Sequence, residues 1–283
     1  MSFAANGEVS LYYDVFGDVA QPALLLVNGL GSQCINYEDE WCERFVEAGF
    51  FVIRFDNRDV GLSTHFHDRG TDPDKVGYTL SDMAGDAVAV LDALGIGQAH
   101  VLGLSMGGMI VQQLAIDHPE RLVTLTSVMS TTGEPDVGQA SPEALALLMG
   151  PPAVDRAGAI EGSLRGLRTW GSPDHLDEAR ASARAGAAFD RAFDPAGQTR
   201  QFLAIGTSPP RAEALRDVRV PALVMHGDRD TLIDISGGRR TAELIAGARF
   251  VVLEGMGHDY PRAYWDRWVS LVAEHALGTA DPA

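Results

Sequence analysis

The chain has 283 residues, 46% of them hydrophobic, and a mean hydropathy of −0.01; that suffices for an α/β core with an insertion, and no apolar stretch approaches the roughly 18 residues of a membrane span. Its 39 acidic against 22 basic residues give a formal net charge of −17, which disfavours nucleic acid or an anionic membrane surface as partner, because both would be repelled. Met1 to Glu8 has neither a basic region nor an apolar signal core, and the two cysteines, Cys34 and Cys42, form no disulfide framework, so a cytoplasmic protein is expected in which a bridge between them is possible but not demanded.

In chain order, Val9 to Phe16 reads as an early antiparallel strand, and Ala23 to Val27 is a continuous apolar run typical of a buried parallel strand. Further strands are expected at 50–55, 99–103, 122–128, 221–226 and 249–253, separated by helices near 36–48, 78–94, 107–117, 237–246 and 262–276. This alternation predicts an α/β fold with a mostly parallel sheet covered on both faces. Residues 131–220 break it. The stretches Glu143 to Met149, Ala157 to Trp170, Leu176 to Ala188 and Arg200 to Ile205 have helical composition, punctuated by Pro151-Pro152, Ser172-Pro173, Asp194-Pro195 and Pro209-Pro210. That segment holds 12 acidic and 10 basic residues, leaving −15 of the charge outside it. It reads as an insertion into a core made of residues 1–130 and 221–283. The tail from Leu277 to Ala283 reads as dispensable.

Three loops carry the chemistry. Val101 to Gly108 runs from a strand through a sharp turn into a helix, with Ser105 at the apex between Gly103 and Gly107, the form of a nucleophile elbow. Ala222 to Met225 is a short apolar strand followed by His226-Gly227-Asp228-Arg229-Asp230, a turn with two carboxylates. Val251 to Leu253 ends in Glu254-Gly255-Met256-Gly257-His258, a glycine-rich loop holding a candidate base. His226 reads as a structural residue at a strand end. No cluster has zinc-ligand spacing and no glycine loop has phosphate-binding form.

The serine, acid and histidine follow one another in the order Ser, Asp, His, and with these motifs the chain resembles the α/β-hydrolase superfamily over nearly its whole length. The resemblance implies an α/β-hydrolase fold with Ser105 as nucleophile, His258 as base and the acid three residues after the glycine of the His-Gly pair, at Asp230, with Asp228 as second candidate. It also implies an oxyanion hole from the backbone amides of Leu30 and Met106. Asn28 departs there from the usual histidine of the loop Asn28-Gly29-Leu30-Gly31, but the donors are main-chain groups. Phe50 to Ser63 resembles the Asp-x-Arg-Gly-x-Gly-x-Ser turn of these proteins, with Asp59 replacing the first glycine; Asp56 and Arg58 are expected to tie it together. The insertion resembles the helical cap of the superfamily, whose wall would include Leu147, Leu148, Met149, Leu167, Trp170, Phe193 and Phe202.

Together these motifs imply a serine esterase acting on a small-molecule carboxylic ester through an acyl-enzyme, with no metal or organic cofactor. A serine at the elbow separates it from haloalkane dehalogenases and epoxide hydrolases, which use aspartate there. The Asn-Gly-Leu-Gly loop and the turn from Arg54 to Gly61 are most similar to aclacinomycin methylesterase and related bacterial esterases. The Ser-Met-Gly-Gly elbow is also similar to that of perhydrolases, or cofactor-free haloperoxidases. Those activities, carbon–carbon bond hydrolysis and a noncatalytic ligand receptor are the alternatives on the same scaffold.

Overall fold

In the computed structural model, which describes residues 1–72, 74 and 77–278, the expected strands assemble into one eight-stranded sheet. Ser2–Asn6 (β1) and Val9–Phe16 (β2) form an antiparallel edge. Ala23–Val27 (β3), Phe51–Phe55 (β4), Ala99–Leu104 (β5), Leu122–Val128 (β6), Ala222–Gly227 (β7) and Arg249–Leu253 (β8) are parallel. The order is β1-β2-β4-β3-β5-β6-β7-β8. β3, β4, β5 and β7 are buried at every position, as strands covered on both faces must be. β1 was not expected, because only Ala4 of its five residues is buried and no apolar period marks it. It forms by pairing with β2 through a turn at Gly7, whose φ of 59° suits glycine.

The alternation of side chains along β3 divides the core in two. Leu24 and Leu26 face Trp41 and Phe45 of α1 (Asp39–Glu47), while Leu25 and Val27 face Met83 and Val90 of α2 (Leu80–Ala93) and Ile110 and Leu114 of α3 (Met106–Asp117). Each such side chain contributes about 1.5–3 kcal/mol by leaving water.

Between β6 and β7 the chain is helical: α4 (Pro142–Leu148), α5 (Arg156–Trp170), α6 (Glu178–Arg191), α7 (Pro195–Thr207) and the short α8 (Ala212–Leu215). The side chains of Ser141, Asp155, Asp177 and Asp194 cap the first four by accepting backbone amides. α7 begins five residues before the expected start at Arg200. Asp194-Pro195, read in sequence as punctuation, is an N-cap followed by proline at the first helical position, where the missing N–H costs nothing. α8 has too few residues for a helical period to show. After β7 come α9 (Ser236–Leu244) and α10 (Trp265–Leu277), and α10 lays Trp265 and Trp268 on the α1 side of the sheet. Of the tail expected to be dispensable, residues 279–283 lie outside the described residues. No helix among the described residues is long and apolar enough to cross a membrane.

Candidate active site

Ser105 stands where β5 turns into α3, with φ 56° and ψ −118°, a backbone conformation that costs a non-glycine residue on the order of 1–3 kcal/mol. Its neighbours make the turn feasible by having no side chain. A Cβ on Gly103 would lie 2.1 Å from the Gly107 carbonyl oxygen, and one on Gly107 would lie 2.0 Å from that of Val27. The apex is tied to β6, since Ser105 N–H donates to the Val128 carbonyl at 2.9 Å and Ser130 Oγ donates to the Ser105 carbonyl at 2.8 Å.

The loop after β8 brings His258 Nε2 to 2.9 Å from Ser105 Oγ and His258 Nδ1 to 2.6 Å from Asp230 Oδ2. An ionised carboxylate only accepts, so Nδ1 carries the hydrogen and Nε2 is free to accept from the serine hydroxyl. Asp230 is buried, and its other oxygen accepts the amides of Leu232 and Ile233, both at 2.9 Å. Burial alone would raise its carboxyl, but His258 and His226 outweigh that and hold it down at about 2. Asp228 is exposed; it accepts the Gly255 amide at 2.7 Å and braces the histidine loop from outside. His226 sits at the buried end of β7, with Nε2 at 2.8 Å from the Ile233 carbonyl and 3.3 Å from Asp230 Oδ2. It is thus a second imidazole on the acid, a contact that sequence reading did not foresee.

The loop Asn28-Gly29-Leu30-Gly31 passes beside the serine. A Cβ on Gly29 would lie 3.3 Å from Ser105 Cβ and 3.9 Å from Ser105 Oγ. Leu30 follows in this loop, and Met106 is the first residue of α3, where amides lack intrahelical partners. The Gly31 amide is engaged by Gln201 Oε1 of α7 at 2.8 Å. Asn28 is buried, and its carbonyl accepts from Asn57 Nδ2 at 3.1 Å.

The charged turn departs from its expected bonding. Asp56 holds the turn by accepting from Leu62 N–H at 2.8 Å, but Arg58 does not join it; Arg58 forks onto Asp86 of α2 at 2.6 and 2.7 Å. Asp56 instead pairs with Arg191 of α6 at 2.7 Å. Asp59 has φ 67° and receives a two-pronged contact from Arg200 of α7, at 2.9 and 2.7 Å. Arg58 is drawn off by the two-pronged bond that Asp86 offers it, which leaves Asp56 to the single contact from Arg191.

Of the seven candidate wall residues, Trp170 is bonded to the histidine loop through its carbonyl, which accepts from the His258 amide at 2.6 Å. Leu167 lies one turn earlier in α5, Leu147 and Leu148 lie in α4, and Phe202 lies in α7, all half-buried. Met149 and Phe193 are 60% and 41% exposed, and the Phe193 ring packs on Phe189 at 4.5 Å. Sequence reading missed Ser172, which is fully buried just past α5. Its Oγ donates to Asp259 Oδ1 at 2.5 Å and accepts from Gly257 N–H at 3.0 Å, and its amide donates to the same Asp259 oxygen at 3.1 Å. Thr231 Oγ1 donates to the Thr169 carbonyl at 3.0 Å. The end of α5 is thereby bonded to both the acid turn and the histidine loop. Cys34 and Cys42 are free and buried, and burial pushes the Cys34 thiol well up and the Cys42 thiol to about 12, so neither competes as a nucleophile.

The profile of a family described as "alpha/beta hydrolase fold" matches residues 22–260. Rhodomycin D methylesterase DauP of Streptomyces sp. (strain C5) is 33% identical over 292 residues, covering 95% of each chain. Rhodomycin D methylesterase DnrP of Streptomyces peucetius is 32% identical over 298 residues, covering 95% of this chain and 96% of that one. The crystal structure of the enol-lactonase from Burkholderia xenovorans LB400 superposes with a TM-score of 0.78 at 26% identity, covering 98% of this chain and all of the other.

Proposed function

Because the chain belongs to the alpha/beta hydrolase fold family, we propose that it is a serine hydrolase of carboxylic esters, with Ser105, His258 and Asp230 as its catalytic triad. The observation that carries this reading is the unbroken hydrogen-bond chain from Ser105 Oγ through the His258 ring to Asp230. Ser105 Oγ attacks the ester carbonyl as its proton passes to His258 Nε2. The tetrahedral oxyanion is met by the amides of Leu30 and Met106. On collapse, the imidazolium returns that proton to the departing alcohol oxygen, leaving an acyl-serine. Water then enters; His258 takes one of its protons, the hydroxide oxygen bonds the acyl carbon, and Ser105 leaves with the proton restored. Asp230 keeps the ring in the tautomer this needs and stabilises the imidazolium.

Residues 131–220 act as a cap over this serine. The contacts that support it come from both sides: α7 places Gln201 on the Asn28–Gly31 loop and the end of α5 holds the histidine loop. The similarity to the two rhodomycin D methylesterases along nearly their whole length supports a methyl ester, on a bulky polyketide, as the substrate class. The free thiols of Cys34 and Cys42 suit a cytoplasmic setting.

The test is steady-state hydrolysis of p-nitrophenyl acetate through laurate, and of an aromatic polyketide methyl ester, by wild-type and Ser105→Ala protein prepared alike. Serine-dependent turnover is expected, with Ser105→Ala lower by roughly 10³-fold or more. Turnover unchanged in Ser105→Ala would overturn the assignment.

A further inference from the structure

The loop after the charged turn carries His65 and His67, and both rings approach Asp194, the N-cap of α7, 127 to 129 residues further along the chain. His65 Nδ1 is 2.9 Å and His67 Nδ1 3.6 Å from the same carboxylate oxygen, Oδ2, and one ligand atom from each of the three residues lies within 4.8 Å of the other two. The two rings are parallel to within 6°. His65 Nε2 lies 2.9 Å from the Gly61 carbonyl. A carbonyl only accepts, so the hydrogen of a neutral ring belongs on Nε2, and its lone pair then faces a carboxylate oxygen at 2.9 Å. Two lone pairs do not rest there unless a proton or a metal ion lies between them.

The charges nearby favour one. The carboxylates of Asp59 and Asp194 share a single guanidinium, that of Arg200, whose NH2 is 2.7 Å from Asp59 Oδ1 and 3.0 Å from Asp194 Oδ2. Among the described residues, that one guanidinium serves both carboxylates. The Gly61 contact is also the support that metal-bound histidines usually have, a carbonyl on the far ring nitrogen that fixes ring orientation.

We propose that His65 Nδ1, His67 Nδ1 and an Asp194 oxygen form a binding site for a divalent transition metal such as Zn²⁺, with water completing the tetrahedron. Ligand bonds of about 2.0–2.2 Å in a tetrahedron set ligand atoms about 3.3 Å apart. The present spacing approaches that, and the His67 side chain, 74% exposed, is free to close the remainder. The metal clips the core loop to the N-terminus of α7, on which Gln201 holds Gly31, and takes no part in the acyl chemistry.

The experiment is equilibrium dialysis of the chelator-stripped full chain against ZnCl₂, with thermal midpoints measured with and without zinc, for wild-type and His67→Ala. One zinc per chain and a raised midpoint are expected for wild-type. Affinity in His67→Ala should fall by at least the roughly 10–100-fold that loss of a mere supporting partner costs, and its midpoint should not move. If wild-type takes up no zinc, or if His67→Ala binds it equally well through other surface histidines, the proposal falls and His65–Asp194 is an ion pair closed by a proton.

Discussion

Ser172→Ala tests whether the helical layer holds the triad in place. The hydroxyl makes two buried bonds, donating to Asp259 and accepting from Gly257 N–H, next to the catalytic candidate His258 on either side. Burial raises the Asp259 carboxyl, and Ser172 pulls against that by hydrogen-bonding its charged form. Removing a bond to a charged group costs about 1.5–3 kcal/mol, and the stranded Gly257 amide adds about 1–3. The expected destabilisation is therefore about 2.5–6 kcal/mol, a fall in thermal midpoint of about 5–10 °C for a chain of this size. The His258 amide keeps its bond to the Trp170 carbonyl, so the loop loosens without being released. Displacement of a catalytic group by 1 Å is enough to cost about 10²-fold in rate. We expect kcat on p-nitrophenyl esters to drop about 10- to 100-fold on that basis, with KM little changed, and Ser172→Thr to restore part of it. A lowered midpoint with wild-type kcat would refute the positioning argument, and no change in either would refute the hydrogen-bond account as well.

The buried charges make two further outcomes testable. Arg200→Met should cost about 3–5 kcal/mol, since it leaves Asp59 buried and unpaired; adding Asp59→Gly removes the orphaned charge and the positive-φ strain but strands Phe66 N–H and Tyr78 Oη, so urea midpoints should show the double variant recovering only part of the loss. Asp230 is held at about 2 against an ordinary 3.8. A depressed carboxyl stabilises the fold above its unfolded value and loses that contribution as pH falls, so about 2 kcal/mol should disappear between pH 5 and pH 2. Urea titrations across that range should be flatter for Asp230→Asn than for wild-type, and equal slopes would refute the assignment of the shift to this residue.

The proposed catalytic frame could be put forward from sequence because each of its parts is local. The strand from Ala23 to Val27 is a run of five apolar residues, and the elbow places its glycines two residues on either side of Ser105, close enough for pattern to imply geometry. Asp230 could be preferred over Asp228 by counting from Gly227, and the hydrogen bonds of the two carboxylates differ accordingly. What stayed hidden depends on pairs distant in sequence. Ser172 meets Gly257 across 85 residues, Arg200 meets Asp59 across 141, and His65 meets Asp194 across 129. A lone serine beside a proline or an arginine on a helix has no spacing that names its partner. The His-x-His pair went unread as a ligand set for the same reason, its third member lying on another element.

Asp59 joins the two kinds of information. Its departure from glycine was visible in sequence, yet its purpose was not. The backbone there is left-handed at φ 67°, a conformation that costs an ordinary L-residue about 1–2 kcal/mol. Glycine would avoid that cost, so aspartate must gain more than it loses. Its carboxylate accepts from Phe66 N–H at 2.9 Å, from Tyr78 Oη at 2.8 Å and twice from Arg200. At about 1 kcal/mol for a neutral donor and about twice that for a charged one, these bonds exceed the strain. Glycine could offer none of them, and α7 would lose its Arg200 anchor on the core, keeping the contacts of Gln201. The strained position is thus where the sheet grips the helices above it, just as Ser172 is where those helices grip the histidine loop.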